Sequence, residues 1–269
     1  MKSAPLVITF CDSGYLPLLE IWLQRLRELE VPRVRVFCLD RVTLEWCTSQ
    51  GVAASPVSWS GELRNLWVQR IAVFSQLLAE GEPFVHSDID AVWIRNPLET
   101  GAACSRKEDL LFSQGTVWPP DVHARWGFVL CCGWFRGLPT PAAQDFFRAL
   151  QAHVIASGDD QLSVNRLLLS SGGRWSQGPV GEYALPFRDR QVQCWSQPLR
   201  LTTSSGSLSV ALLPHREFQR LPEETDRAIV KHYLTPKSCA QKLRALQHYG
   251  LLPISRLFAD GRDSLRPQT

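Results

Sequence analysis

In the run Phe84-Val85-His86-Ser87-Asp88-Ile89-Asp90, an apolar stretch leads into two carboxylates at alternate positions. Residues two apart in an extended strand point the same way, so this spacing lets Asp88 and Asp90 reach one cation, with strand-end twist leaving one of them to act through water. Two oxygens at such an edge suit Mg²⁺ or Mn²⁺, hard ions that keep positions open for phosphate oxygens. Ser87 lines the same edge and could add a hydroxyl. Without further context, two solvated carboxylates on a strand-end turn read equally well. Asp159-Asp160-Gln161 opens a second segment of interest, with Asp159 as a helix N-cap and Asp160 and Gln161 in the first turn. Asn165, one turn later, either faces the same side or braces the helix. Arg70, mid-helix in WVQRIAVF, reads as a snorkelling arginine or as a planar fork for phosphate. His232, in IVKHYL, reads by itself as a half-buried structural histidine.

The elements that must position these groups follow from periodicity. PLVITF is a β-branched apolar run, then comes the loop Cys11-Asp12-Ser13-Gly14, then a helical pattern with Leu16, Leu19, Trp22, Leu23, Leu26 and Leu29 on one face. VRVFCLD reads as the next strand, followed by a helix through Leu44 and Trp46, a short strand at VAASPVS and a helix over residues 62–81 stopped by Gly81. PFVHSDIDAVWI reads as one further buried strand. Strands alternating with helices predict an α/β fold with a mostly parallel sheet and helices on both faces. In such sheets, nucleotides bind in the crevice beyond the carboxyl ends of the strands. The second half is less regular: a long apolar strand GFVLCCGWF, helices over residues 140–158 and 159–172, strands YALPF, QVQCW and LSVALLP in a smaller mixed sheet, then IVKHYL and a helix over residues 238–250. No linker or repeat divides the chain, which predicts a single domain over residues 1–254, its halves meeting near residue 100, with a polar tail over 255–269.

The chain has 269 residues, 45% of them hydrophobic and 20% charged, which excludes disorder, collagen and coiled coil. A net charge of +3 is too small to demand a polyanionic partner, and there is no clear nucleic-acid signal. No run approaches the roughly 20 apolar residues of a membrane span, and the opening MKSAPLVITF lacks the apolar region of a secretory signal, so a cytoplasmic location is expected. The eight cysteines contain no CxxC pair and several sit in apolar runs, which predicts buried free thiols. Most of the ten tryptophans are expected in the core, while exposed ones would suit stacking. TVWPPDVHARWG reads as a loop on the acceptor side of a cleft.

Together these segments resemble the nucleotide-diphospho-sugar transferases, in particular glycosyltransferase family 77. HSDIDAVWIRNP resembles the family's DxD strand, VITFCDSGYLPLLEIWLQRL its first strand and nucleotide loop, GFVLCCGWFRG its central strand, GDDQLSVNRLL its Asp-Gln-then-Asn motif, and IVKHYLTPKS its C-terminal histidine segment. The resemblance implies a GT-A type fold and metal-dependent transfer of a sugar from a nucleotide diphosphate, with UDP as the carrier and retention of anomeric configuration. It implies Asp90 as the more direct ligand of Mn²⁺ or Mg²⁺, Asp88 beside ribose or a metal-bound water, and His232 as the third ligand. Thr9, Asp12, Gly14 and Tyr15 would hold base and ribose, and Asp160 and Gln161 would flank the donor sugar. Arg70 and Lys237 would meet the phosphates, although the lysine stands one position short of its usual spacing, leaving Lys231 and Lys242 in competition. The acceptor stays open. A nucleotidyltransferase is a weaker reading because CDSGYL has one glycine and no basic residue. A non-catalytic carbohydrate or partner-binding module would be expected to lack one of the aspartates, and a metal-dependent phosphatase is remoter still.

Overall fold

The computed structural model describes residues 4–99, 107–176, 182–203, 208–233 and 238–252. Its first half follows the periodicity closely: β1 (Leu6–Cys11), a 3-10 turn (Ser13–Tyr15), α1 (Leu16–Glu28), β2 (Val34–Cys38), α2 (Arg41–Ser49), β3 (Ala54–Pro56), α3 (Leu63–Ala79) and β4 (Phe84–Ser87). Gly81, just past α3, takes a positive φ of 78°, a conformation that glycine tolerates best. β5 (Val92–Trp93), β6 (Leu110–Gln114), α4 (Pro120–Trp126), β7 (Leu130–Gly137), α5 (Pro141–Ser157), α6 (Asp160–Ser170) and β8 (Arg174–Trp175) come next. β9 (Glu182–Phe187), β10 (Arg190–Trp195), β11 (Leu199–Thr202), β12 (Ser209–Leu212), β13 (Phe218–Gln219), β14 (Val230–Lys231) and α7 (Cys239–His248) complete the order.

A nine-stranded sheet in the order β3-β2-β1-β4-β7-β6-β12-β11-β8 forms the centre. β1 pairs in parallel with β2 and β4, and β2 with β3, while β7 and β11 run against their neighbours. The sheet is thus mostly parallel, with the mixed half where the sequence places it. β9 and β10 stand apart as a two-stranded ribbon instead of joining it.

Alternation along β1 and β4 sorts side chains between two cores. Leu6, Ile8 and Phe84 face α3 and α5 with Phe74 and Phe147, whereas Val7 and Val85 face α1 with Leu19, Trp22 and Leu23. The α3 side is rich in rings, with Phe74 stacked on Phe84 at 5.1 Å and edge-on to Phe135 at 5.0 Å.

The segment read as one strand from residue 83 to 94 is two. β4 ends at Ser87, a turn follows in which the Ala91 amide donates to the Asp88 carbonyl at 3.0 Å, and β5 then joins a separate three-stranded sheet, β13-β14-β5. Asp88 and Asp90 therefore sit on a turn and not in an extended strand. Segment 116–127, read as a loop, is mostly the helix α4. Every described cysteine is free, and all but Cys239 are buried. Among the described residues, no helix is long and apolar enough to cross a membrane. The tail expected from residue 255 lies outside the described residues.

Candidate active site

The small sheet completes the site. β5 leaves the aspartate turn, and antiparallel pairing sets Lys231 opposite Val92 and Val230 opposite Trp93. The residue after Lys231 is thereby delivered to the turn, and His232 is anchored there by its amide donating to the Gln219 carbonyl at 2.8 Å. Ligand atoms of Asp88, Asp90 and His232 all lie within 4.8 Å of one another. His232 Nε2 stands 3.3 Å from Asp90 Oδ1 and 3.8 Å from Asp88 Oδ2. Gly133 on β7 makes the room: a Cβ there would come within 2.2 Å of His232 Cε1 and 2.7 Å of Asp88 Oδ2. Two hard oxygens and an imidazole nitrogen form a donor set that suits Mn²⁺ or Mg²⁺, and the space beside Gly133 keeps their atoms convergent.

Burial pushes the Asp88 and Asp90 carboxyls up, but nearby cations outweigh it: Arg70 and His232 for Asp88, His232 and Lys242 for Asp90. Both are held well below the usual carboxylate range. Burial lowers His232 and Arg220 lowers it further, yet Asp90 prevails and raises it to about 9.

Arg70 is buried, 4% exposed, and is no surface arginine. It shares the inner face of α3 with Phe74, and its guanidinium carbon lies 4.8 Å from the Trp67 ring centroid. Its Nη1 is 3.5 Å from Asp88 Oδ1 and its Nε is 3.4 Å from Asp160 Oδ2. Nη2 donates to the Cys132 carbonyl at 3.1 Å and to His86 Nε2 at 2.7 Å. Burial first, then the Arg70 charge, lower His86 to about 4, so the ring is neutral and accepts from the guanidinium. Asp160 is 5% exposed, and burial lifts its carboxyl to about 6 despite Arg70.

These groups line two adjoining cavities. One, of about 330 Å³, is walled by Phe10, Asp12, Tyr15, Leu39, Trp59 and Leu66. The other, of about 270 Å³, holds Trp118, Gly133, Asp159, Asp160, Gln161, Arg220 and His232. Trp67, Arg70, Asp88, Asp90 and Lys242 belong to both.

Most of the residues singled out from the sequence meet here, but not all. Asp12 and Tyr15 line the larger cavity, whereas Gly14, whose amide donates to Asp12 Oδ1 at 2.9 Å, stands outside the lining. Thr9 lines neither cavity: it is fully buried and alternation puts it with Val7 on the α1 side. Ser87 departs for the same reason. It is fully buried, and its hydroxyl accepts from the Trp93 and Trp22 indoles at 3.0 and 3.3 Å. Gln161 lines the smaller cavity while bridging the Cys132 amide and the Trp118 carbonyl. Asn165 braces: it is fully buried and exchanges hydrogen bonds with the Leu130 amide and carbonyl at 2.8 and 2.9 Å. Lys237 lies outside the described residues. Of its competitors, Lys231 lies over the Tyr233 ring, while Lys242 enters the cleft and pairs with Asp90. His86, Gly133 and Arg220 were not among the residues singled out. His86, two residues before Asp88, carried a signal in its spacing, whereas Arg220 carried none.

A family model for nucleotide-diphospho-sugar transferases matches residues 29–242, a span containing both aspartates, His232 and Lys242. The chain belongs to the nucleotide-diphospho-sugar transferase family. Arabinosyltransferase XEG113 from Arabidopsis thaliana is 22% identical over 199 residues, covering 67% of this chain and 31% of that protein. This family member thus spans about a third of the length of that relative. Among solved structures, galactosyltransferase LgtC in complex with donor and acceptor sugar analogs superposes with a TM-score of 0.52 at 11% identity, over 93% of this chain and 98% of that one. The glycosyltransferase GlyE of Streptococcus pneumoniae TIGR4 gives 0.52 at 10% identity, over 93% of this chain and 65% of that one. The chain shares with them the GT-A type fold.

Proposed function

We propose that this transferase moves a sugar from a nucleotide diphosphate, with UDP as the carrier, to an acceptor hydroxyl, and that it needs a divalent cation and retains anomeric configuration. The observation that carries this reading is the convergence of Asp88, Asp90 and His232 at the seam of two cavities. The larger cavity offers aromatic and aliphatic walls beside Asp12 and Tyr15 for base and ribose. Its partner offers Asp160 and Gln161 for sugar hydroxyls. A diphosphate joining the two ligands would cross the seam at Arg70 and Lys242, a rigid fork and a mobile point charge.

A divalent cation held by Asp88, Asp90 and His232 would act as a Lewis acid, neutralising charge on the departing diphosphate. Lys242 adds positive charge from α7, and its pairing with Asp90 keeps the ammonium at the seam. Arg70 fixes Asp88 and Asp160 relative to each other, so the metal-side carboxylate and the sugar-side carboxylate are held by one guanidinium. In transfer, the acceptor oxygen bonds to the anomeric carbon as the anomeric bond to the diphosphate breaks. The bonding pair leaves with the diphosphate, which also takes the hydroxyl proton.

Release of nucleoside diphosphate to water, measured over a panel of nucleotide sugars, tests the reading. Release from one donor in Mn²⁺, lost in EDTA and in Asp90→Ala, is expected. No release from any donor, together with calorimetry showing neither nucleotide nor Mn²⁺ binding, would overturn it in favour of a non-catalytic module.

A further inference from the structure

Trp118 is 49% exposed, unusual for so large an apolar surface, yet it is held fast. Its indole N–H donates to Asp159 Oδ2 at 3.2 Å, and its carbonyl accepts from Gln161 Nε2 at 2.8 Å. Asp159 is itself fixed as the N-cap of α6, with Oδ1 accepting from the Leu162 amide at 2.7 Å. The helix that follows Trp118, α4, is tied to α6 by Arg166 Nε and Asp121 Oδ2 at 2.9 Å. Both ends of the indole's surroundings are thus anchored to the element that carries Asp160, and a rigid apolar plane stands open at the mouth of the smaller cavity.

A plane of that kind beside carboxylate and amide groups matches the surface of a sugar ring, which has an apolar C–H face rimmed by hydroxyls. Trp118 belongs to the smaller cavity and not to the larger one. A donor seated by its nucleoside in the larger cavity would enter from the seam residues. The solvent-open indole, which is not part of that shared wall, is placed to meet the other reactant. Resting on the transferase reading above, we propose that Trp118 is the acceptor platform and that the acceptor is a saccharide, its ring stacked on the indole and its hydroxyls directed to Asp159.

The test uses the full chain with Mn²⁺ and the donor found by hydrolysis, offering α- and β-methyl glycosides of hexoses and pentoses as acceptors. At least one methyl glycoside is expected to be glycosylated and to give saturation-transfer NMR signals from its C–H face. Trp118→Ala is expected to raise its KM about tenfold, the size of one aromatic contact, with a much smaller change in donor KM. Trp118→Phe, which keeps a flat ring, should recover most of the loss, and Trp118→Leu, apolar but not planar, should not. Donor hydrolysis with no methyl glycoside accepted, or with acceptor KM indifferent to Trp118→Ala and Trp118→Leu, overturns this inference alone. Absence of hydrolysis from every donor overturns the transferase reading beneath it.

Discussion

Gly133 faces His232 so closely that an added Cβ would lie 2.2 Å from Cε1 of the ring, and 2.7 Å from Oδ2 of Asp88. Neither neighbour is the free end of a long side chain. His232 is held by its backbone to Gln219, and the Asp88 amide donates to the Gly133 carbonyl itself at 2.7 Å. The absence of a side chain on β7 is therefore part of the geometry of the carboxylate and imidazole groups.

Gly133→Ala is expected to push His232 or Asp88 out of convergence and weaken Mn²⁺ binding by about 10- to 100-fold, the range seen when the support of a metal ligand is disturbed. Titration calorimetry with Mn²⁺ reads this directly, and circular dichroism separates it from unfolding. Wild-type affinity in a folded Gly133→Ala protein would show that the close approach has no bearing on the site.

Arg70 and Asp160 form a buried pair whose halves should not be separable. Arg70→Met leaves Asp160 and Asp88 without their shared cation, and removing one partner of a buried pair costs about 3–5 kcal/mol. Burial already lifts Asp160 to about 6 with Arg70 present, so without it the carboxyl rises further and is protonated at pH 7. The double variant Arg70→Met with Asp160→Asn should then lose much less stability in total than the two single losses summed. Urea unfolding of both single variants and the double at pH 7 measures the coupling, and strict additivity would contradict it.

Asp40 supplies a pH dependence outside the aspartate turn. Its Oδ1 accepts from the Thr43 amide at 2.7 Å as the N-cap of α2, and its Oδ2 accepts from the Ser13 amide at 2.7 Å, tying α2 to the first loop. Burial alone would raise this carboxyl, but the two amides outweigh it and bring it to about 2. A carboxyl depressed by folding stabilises the fold above its ordinary pKa near 4, and that contribution fades as pH falls toward 2. Asp40→Ala should cost about 1–2 kcal/mol at pH 7. The gap from wild type should narrow between pH 4 and pH 3 in denaturant titrations, and a gap independent of pH would refute the assignment.

The legible part of this molecule was its periodicity. The alternation of strands and helices through α3, the N-cap at Asp159 and the proximity of Asp88 to Asp90 all follow from local spacing. Asp88 and Asp90 converge through a turn, however, because Ala91-Val92-Trp93 is as apolar as the strand before it, and nothing local marks where the chain passes from one sheet to another. Thr9 and Ser87 lie off the cleft for a related reason. A strand buried on both sides is apolar on both, so its spacing shows which residues share a side but not which side opens on the cleft. Arg220 and the choice of Lys242 depend on segments far away along the chain, beyond the reach of a helical or strand period.

The little sheet β13-β14-β5 also fixes when the site can come into being. Asp90 and Lys242 are 152 residues apart, and His232 reaches the turn through pairing of β14 with β5. Closing so long a loop is entropically costly and waits on other contacts. During synthesis the aspartates leave the ribosome long before their imidazole partner, so a nascent chain cannot assemble the complete cation-binding triad until β14 has emerged. Early termination before β14 would yield a protein with much of its central sheet encoded and no means of completing the triad.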